Sequence, residues 1–117
     1  MMAYKIAVAS TDGKVVNQHF GRAEKFYILE VNDENEFYYV EERKTAAPCS
    51  GGTHSDNGLA LAVRVLSDCK YVLVSQIGAG AEYELNKKGV TAFAISHYID
   101  EAVKKLVYYD SEVKNKK

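Results

Sequence analysis

The chain after residue 57 alternates between predicted helices and short apolar strands, and this alternation restricts the fold more than any other feature. The helices are predicted from apolar residues on one face: Leu59, Ala62, Val63 and Leu66 in the first, Ala81 and Leu85 in the second, and Ile99, Ala102, Val103 and Leu106 in the third. The strands are apolar runs at Tyr71–Val74 and Val90–Ile95. Such an alternation requires parallel strands joined by right-handed crossovers.

The ends of these helices are predicted from capping residues. We expect the first helix to end near Asp68 or Cys69, and the second at Gly89, because glycine is common just after a helix. Ser96 is predicted to cap the third helix. Residues 108–117 are expected to form a tail that ends in a lysine-rich, frayed terminus.

The first half of the chain predicts an antiparallel hairpin that follows a buried strand. Ile6–Ala9 is a continuous apolar run, and Phe26–Val31 and Glu36–Arg43 are rich in aromatic and β-branched residues. Asn32–Asn35 separates the last two as a four-residue turn. The two halves together predict an α/β, ribonuclease H-like fold. Its mixed five-stranded sheet has the order 3-2-1-4-5, with strand 2 antiparallel, helices on both faces, and a tyrosine-covered strand at one edge.

Length and composition limit the organisation and the compartment. A chain of 117 residues predicts one domain over residues 1–117, with a core of about 4–107. The sequence has no apolar segment long enough for a signal or a membrane span, which predicts a cytoplasmic protein without membrane partners. The net charge of −1 argues against nucleic acid as a partner.

The strand directions also predict where a site would lie. Strands one, four and five run parallel, so their carboxyl ends open onto one edge of the sheet, where open α/β sheets bind ligands. Three segments follow these ends: the loop Asp12–Phe26, the turn Ser75–Gly80 and the turn Ser96–His97. The segment Cys49–His54 is expected to fold over the same edge. We therefore predict a cleft that gathers all three histidines and Cys49.

His19 is the main candidate in the Asp12–Phe26 loop. We expect Phe20 to be a buried anchor that presents His19, and neutral imidazole is a common metal ligand. A capping or surface histidine is the alternative. His97, at the start of a helix, is interpreted as structural.

Gly78 and Gly80 stand where a strand turns into a helix, and free backbone N–H groups at such a turn attract anions. Arg22 and Lys25 would add positive charge nearby. A Gly-x-Gly pair alone does not indicate a dinucleotide site, because the third glycine position is occupied by Tyr83.

The two cysteines, Cys49 and Cys69, form neither a Cys-x-x-Cys pair nor a zinc-finger spacing. A disulfide between them stays open, although free thiols are the default in the cytoplasm. Cys69 closes a helix beside apolar residues, so we expect it to be buried. Cys49 follows Pro48 and precedes two glycines, which predicts an exposed thiol that is reactive, a ligand or incidental to the loop. His54 is close enough in sequence to ligate the same metal as Cys49.

A nuclease is disfavoured despite the predicted topology. Ribonuclease H-like nucleases hold two metal ions with carboxylates, beginning with one on the first strand. Here the first strand reads Ile-Ala-Val-Ala and contains no acid.

Several of these segments resemble the dinitrogenase iron–molybdenum cofactor biosynthesis family, the NifX, NafY and NifB C-terminal type of domain. The resemblance covers roughly residues 4–107. It lies in Ile6–Ser10 with Asp12-Gly13, Val16–Gly21 (Val-Asn-Gln-His-Phe-Gly), Arg22-Ala23, Pro48–Gly52 with His54, and Val72–Gly80.

The resemblance implies a protein that binds or carries an iron–sulfur cluster or an iron–molybdenum cofactor precursor. The family's His-Phe-Gly histidine maps onto His19, and its loop Cys and His map onto Cys49 and His54. These three are the expected metal ligands, with Gly78 and Gly80 also contacting the cofactor. NifB-type proteins add a radical-SAM Cys-x-x-x-Cys-x-x-Cys motif. The sequence lacks this motif, so that activity is not transferred.

The expected function is therefore that of a non-catalytic accessory protein, monomeric or homodimeric, whose partners are cluster donor and acceptor proteins of metallocluster assembly. Two other classes stay open. One is an enzyme with Cys49 as nucleophile and a histidine as base. The other is a regulatory or protein-interaction module without metal.

Overall fold

A computed structural model describes residues 3–45 and 56–115 of the protein. The strands and helices, in chain order, are β1 Tyr4–Ala9, β2 Lys25–Val31, β3 Phe37–Lys44, α1 Asp56–Val65, β4 Tyr71–Val74, α2 Ala79–Lys87, β5 Thr91–Ala94 and α3 Ile99–Asn115. This order confirms the succession predicted from the sequence. Within the described residues, every helix is too short or too polar to span a lipid bilayer.

The strands form one mixed sheet in the order β3-β2-β1-β4-β5. β2 is antiparallel to both β1 and β3, whereas β4 is parallel to both β1 and β5. Strand order and directions are those predicted. β4 and the Ile6–Ala9 part of β1 consist of apolar residues, as expected for strands whose two faces are both covered by helices.

Helices cover the two faces of the sheet unequally. α1 and α2 pack on one face against Ala7 and Ala9, and α3 packs on the other against Ile6 and Val8. The alternation of these four residues along β1 is the two-residue period of a strand. Most of the predicted inward residues of the helices are buried: Ala62, Val63, Leu66, Leu85, Ile99, Ala102, Val103 and Leu106. The other two, Leu59 and Ala81, are partly buried and pack against the core.

The hairpin of β2 and β3 has the predicted turn. The Asn32 side-chain oxygen accepts the N–H groups of Glu34 at 2.9 Å and Glu36 at 3.0 Å, and Asn35 has a φ of 64°. Tyr38 and Tyr39 of β3 are exposed, as expected at an edge. A bulge interrupts the β2–β3 register between Ile28 and Leu29, and such irregularities hinder pairing with another chain.

The predicted end of α1 is wrong. α1 stops at Val65, and a turn leads to Cys69. The Arg43 guanidinium on β3 explains this end, because it donates to the Val65 carbonyl oxygen at 2.8 Å and pairs with Asp68 at 2.7 Å. A side chain from a different element thus satisfies the end of the helix.

The predicted Ser96 cap is also wrong. α3 begins at Ile99, whose N–H donates to the Lys14 carbonyl oxygen at 2.8 Å. The first N–H of the helix is therefore satisfied by the Asp12–Phe26 loop rather than by a serine side chain. By contrast, Gly89 is confirmed just after α2, with a φ of 83° and an N–H that donates to Asn86 at 3.0 Å.

α3 continues to Asn115, into the segment 108–117 that the sequence assigns to a tail. Asp110 is buried in it and accepts from the Lys70 ammonium and the Tyr71 hydroxyl, both at 2.6 Å. Burial, followed by the hydrogen bond to Asp110, raises the pKa of Tyr71 above its usual value. This contact fixes the carboxyl-terminal part of α3 to the sheet.

Candidate functional site

The Asp12–Phe26 loop begins with a compact turn at the end of β1. The buried Ser10 hydroxyl accepts the N–H of Gly13 at 3.0 Å, and the Asp12 carboxylate accepts the N–H of Lys14 at 2.9 Å. The backbone N–H groups of Lys14 and Val15 lower the pKa of Asp12. Gly13 has a φ of 75°, and a Cβ there would lie 3.3 Å from the Tyr27 ring. The turn is therefore closed by its own side chains.

Main-chain bonds then hold the loop across two strand ends. The Val16 N–H donates to the His97 carbonyl oxygen at 2.9 Å, beyond β5. Beyond β4, His19 forms a parallel bridge with Gln76, in which the Phe20 N–H donates to the Gln76 carbonyl oxygen at 2.8 Å. The three segments predicted to converge at this edge do so.

His19 is oriented by its own backbone neighbours. Its Nδ1 accepts the N–H of Gly21 at 2.9 Å, at the start of the 3-10 turn Phe20–Arg22. Phe20 is buried, and its ring lies 5.9 Å from that of Phe26. The half-buried imidazole is therefore held at the sheet edge by the anchor that the sequence predicted.

The amino terminus of α2 lies two residues beyond Gln76. Gly78 caps this helix without a side-chain hydrogen bond, and Gly78, Ala79 and Gly80 are exposed. A Cβ at Gly78 or Gly80 would meet no atom within 4 Å, and neither residue has a positive φ. Packing and backbone conformation thus do not require these glycines, and the first-turn N–H groups of α2 remain open to an anion.

Arg22, three residues after His19 in the sequence, is exposed and carries positive charge. Arg22 lines a small cavity of about 180 Å³ together with Ser10, Thr11, Gln18, Glu24 and Lys25. Lys25 contributes less than the sequence suggests, because its ammonium lies 3.6 Å from the Glu42 carboxylate and 5.2 Å from the Tyr27 ring centre. The hydrogen bond with Tyr27 raises the pKa of Lys25.

Comparison with known protein families shows to which family the chain belongs. A family described as "Dinitrogenase iron-molybdenum cofactor" matches residues 2–108. The chain belongs to this family. It is 35% identical over 98 residues to the FeMo cofactor biosynthesis protein NifB of Chlorobaculum tepidum, a match covering 84% of this chain and 22% of that protein. It is 29% identical over 79 residues to Protein NifY of Klebsiella pneumoniae, covering 68% of this chain and 32% of that protein.

Solved structures agree on the fold. The crystal structure of PH0822 matches with a TM-score of 0.68 at 22% sequence identity, covering 88% of this chain and 89% of that one. The curated relatives that the chain matches are much longer than the chain. It spans only 22% of the NifB protein and 32% of the NifY protein.

Two predicted ligands of the family site, Cys49 and His54, lie outside the described residues. The chain enters their segment beside the loop, because the Thr45 N–H donates to the Glu24 carbonyl oxygen at 2.9 Å. Within residues 3–45 and 56–115, no three His, Cys, Asp or Glu side chains group as a metal site would require. The predicted ligand set of His19, Cys49 and His54 therefore stays a prediction.

Cys69 and His97, the other cysteine and histidine among the described residues, make contacts within the fold. Cys69 is buried, as predicted, and burial raises its thiol pKa to about 12. The Nδ1 of His97 accepts the Tyr98 N–H at 2.8 Å, which agrees with its interpretation as structural.

A larger cavity, of about 540 Å³, lies on the α3 face of the sheet. Aromatic and aliphatic side chains dominate its lining, which consists of Gly13, Tyr27, Leu29, Phe37, Tyr38, Tyr39, Ile99 and Asp100. It lacks His and Cys, so it does not fit the ligand chemistry expected of the site.

Sequence reasoning missed the residues that fix the loop. Ser10 and Gln76 hold it by hydrogen bonds, and neither was a candidate. The Ser10-Thr11-Asp12-Gly13 run carries a usable signal, because Ser and Asp side chains close such turns and glycine adopts a positive φ. The role of Gln76 could not be predicted from its residue type, because only its main chain takes part in the hydrogen bond.

Proposed function

We propose that this chain binds an iron–sulfur cluster or an iron–molybdenum cofactor precursor at the edge formed by His19 and the start of α2. The observation that carries the proposal is the main-chain bridge between His19 and Gln76, because Gln76 lies two residues before Gly78, the exposed cap of α2. Neither packing nor backbone conformation requires glycine at Gly78 or Gly80. Close approach of a ligand to the backbone would account for glycine at both positions.

The electrostatics of this edge suit an anionic metal–sulfur cluster. The N–H groups in the first turn of α2 carry partial positive charge, and Arg22 adds a full charge beside the loop. The imidazole of His19, whose main chain is held at this edge, is proposed to supply a directional contact. Gly78 and Gly80 are proposed to contact the cargo through their backbone.

Cys49 and His54 are proposed as further contacts. With Cys69 buried, Cys49 is the remaining thiol of the chain, whereas cubane clusters are usually enclosed by four cysteines. The chain would therefore take up an already assembled cluster and hold it loosely, or share ligands in a homodimer. Loose binding suits a carrier, which must release its cargo.

The proposed cellular role of the protein follows from this binding function. The chain would act as a non-catalytic accessory protein in the cytoplasm, receiving the cluster from one assembly protein and delivering it to another. The family description and the printed names NifB and NifY, which concern cofactor biosynthesis, support this role. The strand order supports placing the fold with ribonuclease H-like proteins.

Anaerobic cluster uptake tests the proposal. The protein is mixed with a synthetic cubane iron–sulfur cluster carrying 2-mercaptoethanol ligands, separated by gel filtration, and assayed for iron and visible absorption. We expect the wild-type protein to retain the cluster, the His19→Ala variant to lose it, and the His97→Ala variant to retain it. Failure of the wild-type protein to retain any cluster would refute the carrier function.

A further inference from the structure

We propose that His19 contacts the cargo as a hydrogen-bond donor through Nε2–H, and not as a metal ligand. This inference rests on the proposed function and specifies the chemistry of its principal contact. It differs from the ligand role that the sequence predicts for His19.

The hydrogen bond at Nδ1 decides the tautomer. The Gly21 N–H can only donate, and it points at Nδ1 of His19 over 2.9 Å. Nδ1 must therefore offer its lone pair, so the neutral ring carries its proton on Nε2. A rotated ring would place a carbon atom against the Gly21 N–H and lose the bond.

The backbone makes this arrangement durable. Gly21 is buried within the 3-10 turn Phe20–Arg22, and the Arg22 N–H donates to the His19 carbonyl oxygen at 3.0 Å. The adjoining Phe20 N–H is bound to Gln76 at 2.8 Å. The donor facing Nδ1 is therefore fixed by main-chain bonds on both sides of it.

Metal ligation would conflict with this geometry at either nitrogen. The lone pair of Nδ1 is already occupied by Gly21. Ligation through Nε2 would move the proton to Nδ1, where two N–H groups would then face each other. The partner of His19 must instead be an acceptor atom, and sulfide or thiolate sulfur on an anionic cluster meets this requirement.

A consequence is that His19, Arg22 and the start of α2 act in the same way. Each offers N–H groups to negative charge, and none requires a bond to metal. The described half of the site would therefore bind the outer surface of a cluster. Release would need no metal–nitrogen bond to break.

Matched substitutions at position 19 separate the two roles. In His19→Asn the side-chain oxygen can still accept the Gly21 N–H, but no group reaches the position of Nε2. In His19→Gln the amide nitrogen reaches that position and donates, yet it is a poor ligand for iron. Binding of the mercaptoethanol-ligated cubane cluster is measured by titration, with His97→Ala as the control.

We expect His19→Ala and His19→Asn to weaken binding by about tenfold to a hundredfold, the usual effect of losing one hydrogen bond to a charged acceptor. His19→Gln should recover most of that loss. If His19→Gln binds as poorly as His19→Ala while the wild type binds well, the donor role is refuted and the carrier function stands. If the wild type binds no cluster, both fail.

Ring nitrogen NMR gives a readout that needs no cluster. In long-range proton–nitrogen spectra of the free protein near neutral pH, the neutral form of His19 should show a protonated Nε2 and an unprotonated Nδ1. His97 should show the same pattern because of its bond from Tyr98. A His19 ring protonated at Nδ1 alone would overturn the inference.

Discussion

Phe20 is attached to Gln76 through its main chain and to Phe26 through its side chain. Its N–H donates to the Gln76 carbonyl oxygen at 2.8 Å, and its ring is 1% exposed. The residue before it, His19, is consequently held at the carboxyl edge of the sheet. The stability of the core and the position of the candidate site are therefore linked at one residue.

Phe20→Ala should lower the free energy of unfolding by about 3–5 kcal/mol, because it removes a fully buried ring and leaves a cavity. The matched control is Gln76→Ala, whose side chain is exposed, and it should change stability by less than about 0.5 kcal/mol. Urea unfolding measures both. Equal effects of the two substitutions would contradict the anchoring role of Phe20.

Gly80→Ala should stabilise the protein and impair its binding. The added Cβ meets no atom within 4 Å in the first turn of α2, so we expect a gain of up to about 1 kcal/mol in thermal or urea unfolding. The same methyl group would occupy space where the cargo approaches the backbone. Cluster uptake should therefore fall.

Gly89→Ala is the control for that experiment. Gly89 has a φ of 83°, so a Cβ there is strained, and the variant should lose roughly 1 kcal/mol without affecting uptake. Unchanged uptake by Gly80→Ala would argue that the start of α2 does not contact the cargo.

Alkylation should distinguish the two thiols. Cys69 is 3% exposed and its pKa is raised to about 12, so almost none of it is thiolate at pH 8. We expect the native protein to incorporate one iodoacetamide, at Cys49, and a second only in urea. Mass spectrometry of the digested protein locates the label. Rapid labelling of Cys69 in the native protein would contradict its burial.

The Asp68–Arg43 pair predicts a defined acid sensitivity. Hydrogen bonds from Arg43 lower the pKa of Asp68 from 3.8 to about 2. The folded state thus binds this proton less readily than the unfolded state, and the stabilisation present above about pH 4 is lost as the pH falls towards 2. Because the Asp68 side chain is 50% exposed, we expect the contribution to be only about 1 kcal/mol.

Asp68→Asn tests this prediction. The variant should be less stable than the wild type by about 1 kcal/mol near pH 7, and the difference should shrink towards zero near pH 2. Urea unfolding at several pH values gives the comparison. A difference that does not change with pH would show that Asp68 acts through something other than its charge.

The sequence predicts the sheet because burial leaves a local pattern. Strands covered on both faces are continuous apolar runs, as in Ile6–Ala9 and Tyr71–Val74, and helices covered on one face repeat at 3.6 residues. The missed boundaries depend on distant partners. Arg43 ends α1, Lys14 satisfies the start of α3, and Lys70 reaches Asp110 within the supposed tail.

The candidate site, too, has features that the sequence predicts and features that depend on contacts formed only in the folded chain. The convergence of three segments follows from strand direction, and the sequence predicts it correctly. The orientation of His19 does not follow, because it depends on a 3-10 turn that brings the Gly21 N–H onto Nδ1. The chemical role of an imidazole is set by such a bond, which residue type and spacing do not reveal.

From Val16 to Phe20 the Asp12–Phe26 loop is fastened by main-chain bonds to His97, Ser75 and Gln76, so the course of this part does not depend on the exposed side chains of the loop. Lys14, Gln18 and Arg22 can therefore be exchanged without loosening the frame. Relatives that share this frame could diverge in the cargo they select by changing only those positions. For protein engineering, the loop offers a fixed display surface on which selectivity can be rebuilt while the fold is left intact.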